Sequence, residues 1–132
     1  MQRPYPATCH LHQGEVGDRT LVRHILAPHD IDACIHFAAL TYVGEPVDDP
    51  LHYYENNANQ SRALLQELVT GSVRQIVFSS TAATYGEPQY TPLDEAHPKH
   101  PENPYGWGKL LGPRAVGCRK RLWPALCRPV LF

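Results

Sequence analysis

The stretch VRQIVFSSTAATYG, residues 73–86, changes character halfway along. Its first half is apolar and β-branched, and the run from Gln75 to Ser79 predicts a short buried strand. Its second half consists of small and hydroxyl-bearing residues, which leave room for a ligand to come close. In an open parallel sheet, ligands bind beyond the carboxyl ends of the strands. Whether this strand belongs to such a sheet depends on what flanks it.

Upstream, DDPLHYYENNANQSRALLQELVTGS predicts a long helix. Asp49 can cap it and Pro50 suits its first turn. Leu51, Tyr54, Ala58, Leu65 and Leu68 recur at helical spacing, and Gly71 closes the pattern. Before that helix, IDACIHFAA holds an apolar run from Ala33 to Phe37, expected to be a strand buried on both faces. Earlier still, GDRTLVRHILAPHD reads as a short helix. Asp18 is its N-cap, Leu21, Val22, Ile25 and Leu26 form one stripe, and Pro28 stops it. Helix, strand, helix, strand at these lengths predicts an α/β fold with a parallel sheet and a right-handed crossover.

Downstream, residues 86–104 are proline-rich and aperiodic, which predicts a loop, and one this long is usually functional or mobile. The chain then enters NPYGWGK, residues 103–109, with Pro104 near the first turn of a new helix. Tyr105 and Lys109 are four apart and so share a face of that helix. A hydroxyl at Ser79, Ser80 or Thr81 can face them from the strand end. Gly112-Pro113 is expected to stop the helix almost at once.

With 132 residues and 42% apolar content, the chain fits one domain and is not disordered throughout. A net charge of -1 gives no electrostatic case for nucleic acid or an anionic membrane as partner. No apolar run is long enough to span a bilayer, and MQRPYPATCH has no apolar core of a secretory signal, so a cytoplasmic protein is expected. Cys9, Cys34, Cys118 and Cys127 show no CxxC spacing and read as unpaired thiols. Cys9, His10 and His12 lack a second ligand pair, so no metal site is expected.

A Ser/Thr at a strand end followed by Tyr-x-x-x-Lys resembles the extended short-chain dehydrogenase/reductase superfamily. The pieces IHFAALTYVGEPVDDPLHYYENN, IVFSSTAATYGEPQYTPLDEAHP and NPYGWGKL, in that order, resemble the UDP-glucose 4-epimerase (UDP-galactose 4-epimerase) family. The resemblance covers residues 14–111. It implies NAD as cofactor, a UDP-sugar as substrate and, for the intact family, a homodimer. Tyr105 would be the general acid/base at the sugar 4-hydroxyl. Lys109 would favour the phenolate by charge and hold the cofactor ribose. Thr81 would hydrogen-bond the reacting hydroxyl. Phe37, Ala38 and Ala39 would line the cofactor by backbone approach, with Asn56 and Ser79 also against it, and Glu15 and Val16 near the adenine. Thr41 stands where some members carry a cation near the pyrophosphate. Ala82 and Ala83, where a dehydratase would be expected to show acidic residues, favour an epimerase over other nucleotide-sugar enzymes of the superfamily. A non-catalytic remnant is the competing reading of another class.

The sequence contains no glycine-rich dinucleotide motif. The resemblance therefore implies an incomplete Rossmann-like doubly wound parallel sheet, without the N-terminal Gly-rich βαβ unit and the C-terminal substrate domain. Residues 1–13 are expected to be a divergent leader, 14–111 a partial NAD-binding Rossmann-like domain, and 112–132 a divergent tail. As this fragment, the activity is expected to be impaired or absent.

Overall fold

The computed structural model describes residues 9–41 and 49–117, with side chains to residue 111. Cys118, Cys127 and most of the tail lie outside the described residues. Helix α1 spans Arg19–Leu26, and Asp18 caps it by accepting from the backbone N–H groups of Thr20 and Leu21, each at 3.0 Å. Those donors have no partner inside the helix, so the carboxylate satisfies what the first turn leaves open. The helix ends two residues before Pro28, which has no N–H to extend the ladder.

Strand β1, Ala33–His36, pairs in parallel with strand β2, Gln75–Phe78, in the register Ala33 to Gln75 through His36 to Phe78. The backbone N–H of Ser79 continues the ladder onto the His36 carbonyl at 3.1 Å. Between the strands runs a helical crossover. It comprises α2 (Pro50–Tyr53), a π-helical segment (Tyr54–Asn59) and α3 (Gln60–Thr70). Asp49 caps α2 by accepting from His52 N at 3.1 Å, with Pro50 in the first turn. The core lies between α1, α3 and the sheet: Val22, Leu64, Leu65, Leu68, Val73 and Ile76, flanked by Val16, Leu26, Ile31 and Cys34. Burial of the Cys34 thiol pushes its pKa up.

Glu67 of α3 joins α1 to this core. Its side chain is only 1% exposed. It accepts from Arg19 Nε at 2.6 Å and from Arg23 Nε at 2.6 Å and Nη2 at 3.1 Å. Three charge-assisted bonds thus satisfy both oxygens of a carboxylate that water does not reach.

Several expectations are corrected. The strands are not buried on both faces. Cys34 and His36 turn toward the helices, while Ile35 is 61% exposed and Gln75 is also exposed. The helices α1 and α3 pack together over that one face, so alternation along the strand divides it into a covered and an open side. Leu51 does not share a stripe with Leu65 and Leu68; it is exposed. The π segment widens the turn and rotates the residues before it away from those after it. At the end of α3, Gly71 holds the cap, but the left-handed residue is Ser72 at φ 61, and Val73 N bonds back to Leu68 O at 3.0 Å. Finally, α4 runs from Pro104 to Gly117, through Gly112-Pro113. A proline removes one backbone hydrogen bond without forbidding the turns beyond it.

Candidate active site

The carboxyl ends of both strands open toward the start of α4. Asn103 caps that helix, accepting from Gly106 N at 2.7 Å. Two glycines then let it approach. A Cβ on Gly106 would meet the Ala83 carbonyl oxygen at 2.6 Å, and one on Gly108 would meet the Asn57 Cβ at 3.0 Å. The helix carrying Tyr105 and Lys109 is therefore pressed against the 3₁₀ turn after β2, Ala82–Thr84, and against the π segment.

Lys109 is 2% exposed. Its Nζ donates to the Ser79 carbonyl at 3.0 Å and stands 5.2 Å from the centroid of the Phe78 ring. Burial lowers its pKa, because a desolvated ammonium is less stable than one in water. Tyr105 lies one turn earlier on α4 and is half-buried. Thr81 caps the 3₁₀ turn, its Oγ1 accepting from Ala83 N at 3.2 Å. That contact uses a lone pair and leaves the O–H to donate elsewhere.

The remaining residues fall into two groups. Glu15, Val16, Phe37 and Ala38 line a cavity of about 490 Å³ between α1 and β1. Phe37 is 63% exposed at its mouth and is no core residue. Ala39, Ser79 and Asn56 are half-buried and lie outside that cavity, and Thr41 is exposed.

Sequence reasoning missed Asn57, which links the two groups. It is 2% exposed, and its amide brackets Leu40, accepting from the backbone N–H at 2.8 Å and donating to the carbonyl at 3.0 Å. This pair of hydrogen bonds to one residue fixes the backbone that follows β1. The signal was the adjacent pair Asn56-Asn57; only the π segment decides which of the two turns inward.

The proline-rich loop before α4 is organised around a buried His97. Its Nε2 accepts from Gln89 N at 3.0 Å, which leaves Nδ1–H to donate to the Pro98 carbonyl at 2.8 Å. Tyr85 and Tyr90 pack their rings on it.

A parallel α/β sheet with its crossover helix and a helix closing over the strand ends is part of a Rossmann fold, here an incomplete one. The chain belongs to the family described as GDP-mannose 4,6 dehydratase, which matches residues 2–118. It is similar to UDP-glucose 4-epimerases. One from Halalkalibacterium halodurans is 48% identical over 99 residues, 75% of this chain and 30% of the relative. The crystal structure of UDP-glucose 4-epimerase from Bifidobacterium longum in complex with NAD+ and UDP superposes with a TM-score of 0.82 at 36% identity, covering 91% of this chain and 36% of that one. The enzyme from Brucella ovis in complex with NAD gives a TM-score of 0.82 at 33% identity, with 91% and 36% covered. The chain thus spans about a third of the length of the relatives it matches. Among the described residues, no helix is long and apolar enough to cross a membrane.

Proposed function

We propose that this segment carries the acid–base part of a site that interconverts UDP-glucose and UDP-galactose through a 4-keto intermediate. The observation that carries this reading is the buried ammonium of Lys109 at the carboxyl end of β2, one turn along α4 from Tyr105. NAD, when bound, supplies the hydride acceptor and donor for the sugar C4. Phe37, Ala38 and Ala39 would lie against it along the backbone that Asn57 fixes, with Asn56, Ser79 and Lys109 beside the ribose end and Glu15 and Val16 near the adenine. The cavity those outer residues line, together with the small side chains after β1, fits such a ligand.

Tyr105 takes the proton from the 4-hydroxyl and returns it. A free phenol has a pKa of about 10 and is a poor base near neutrality. The buried charge of Lys109 attracts the negative charge that grows on the phenol oxygen as the proton leaves, and dry surroundings strengthen that attraction. The free O–H of Thr81 donates to the reacting oxygen. Ala82 and Ala83 leave no carboxylate beside it, which favours epimerisation over dehydration.

These 132 residues by themselves are expected to show no turnover. They include no glycine-rich turn to meet the pyrophosphate at a helix N-terminus, and lost positioning costs about 7 to 11 kcal/mol of barrier lowering. The test is a graft: residues 14–111 replace the matching segment of the Halalkalibacterium halodurans enzyme, and UDP-glucose formation from UDP-galactose is followed. The graft should turn over, and Tyr105→Phe should slow it by about 10² to 10⁴-fold while NAD absorbance is retained. A soluble, NAD-loaded graft that is inactive, or one that Tyr105→Phe leaves unchanged, would overturn the reading.

A further inference from the structure

Beneath the Lys109 ammonium lies a buried polar contact that the acid–base chemistry does not use. His36 ends β1 with its ring buried, and its Nε2 is 2.8 Å from Oγ of Ser61, itself buried in α3. The ring meets its register partner Phe78 edge to face, 5.2 Å between centroids at 66°. Over that same Phe78 ring stands the ammonium of Lys109. Two strands and two helices therefore converge on one side chain with four rotatable bonds.

We propose that His36, fixed by Ser61, is a positioning residue for Lys109: it sets the Phe78 ring under the ammonium and so directs Nζ at the Ser79 carbonyl. The reasons are geometric. A lysine is a point charge on a flexible stem, so a single hydrogen bond leaves its direction loose. An aromatic face supplies a second attraction, but only if the ring is held in one orientation. The edge of His36 holds it, and Ser61 holds His36. Lys109 is the charged group that faces the imidazole, and burial, then that ammonium, keeps the ring neutral, so no second cation competes for the Phe78 face. The catalytic meaning of this arrangement rests on the reading of Lys109 given above; the arrangement itself does not.

The chain has only Lys99, Lys109 and Lys120 as lysines, so lysine Cε labelling with carbon-13 gives resolvable signals, and Lys109→Arg identifies one of them. The titration midpoint of Lys109 is then read by NMR in the 132-residue chain and in Ser61→Ala, His36→Gln and Ser61→Thr. In the parent chain the midpoint should lie below the ordinary lysine range. Ser61→Ala and His36→Gln should both move it up, as the ring loosens and water reaches the ammonium. Ser61→Thr keeps the hydroxyl and should restore the parent value. If His36→Gln does not fold, Ser61→Ala, which removes a single oxygen, decides. A Lys109 midpoint that stays in place in these variants while folding stability drops would show that His36 only fills the core. That result would leave the epimerase reading intact, whereas an inactive graft with a responsive Lys109 would do the reverse.

Discussion

His36 is a neutral base in a place that disfavours its charge. Burial, and then the charge of Lys109, push its pKa from 6.5 to about 4. The consequence for stability has a definite sign. Above pH 6.5 neither state carries the proton and nothing is lost. Between 6.5 and about 4 the unfolded chain binds a proton that the folded chain refuses, so stability falls as the pH drops. The full loss is on the order of 3 kcal/mol. Urea unfolding of the parent and of His36→Gln across that window should show the parent declining and the variant flatter; parallel declines would mean that the imidazole is not the group responsible. At this scale the sequence exposes what depends on spacing and hides what depends on burial. Tyr105 and Lys109 four apart are visible on any helix. The environment of His36 is set by Ser61, a serine on another element with no pattern to mark it. Asn57 was visible as one of a pair, but the choice between the two needs the rotation introduced by the π segment.

At the scale of elements, Glu67 governs how α1 sits on α3. Hydrogen bonds from Arg23, then those from Arg19, hold its carboxyl below the usual carboxylate range, against burial. Its contribution is therefore complete above the ordinary carboxylate pKa of 4.5 and is lost as the pH falls through the depressed value. This window opens near the lower end of that of His36. Glu67→Gln should lower the urea midpoint most near neutrality, and the gap from the parent should close in acid; a constant gap at all pH values would show that shape rather than charge matters there. The order of helices and strands was legible, because apolar period and capping residues mark each one: Asp18, Asp49 and Pro50 stand where their patterns place them. The single-sided burial of the strands was not. A run such as ACIHF looks the same whether one or two layers of helix will cover it, because the covering residues are distant in sequence.

The molecule as a whole, in its described residues, presents a two-stranded sheet with helices on one face. Ile35 and Phe37 are exposed along β1, beside the apolar cavity. Unpaired strand edges with apolar side chains template association. Ile35→Lys should raise the concentration at which the chain stays monomeric, measured by light scattering, with little change in urea midpoint; unchanged association would place the sticky surface elsewhere. The overall plan could be read because its three motif blocks occur in order. Their distance in space could not, because the close approach of α4 depends on hydrogen atoms rather than side chains.

That approach has an evolutionary side. At positions 106 and 108 the helix stands at a limit and not at a balance, so drift toward any larger residue can displace it in one direction only, away from the strand ends. The two limits differ in kind. Opposite Gly108 is the Cβ of Asn57, which only a glycine at position 57 would remove. Opposite Gly106 is the carbonyl of Ala83, which belongs to the main chain and cannot be traded for anything smaller. Position 108 can therefore change only together with a glycine at position 57, which would give up both bonds to Leu40, whereas position 106 has no partner through which a change could be absorbed.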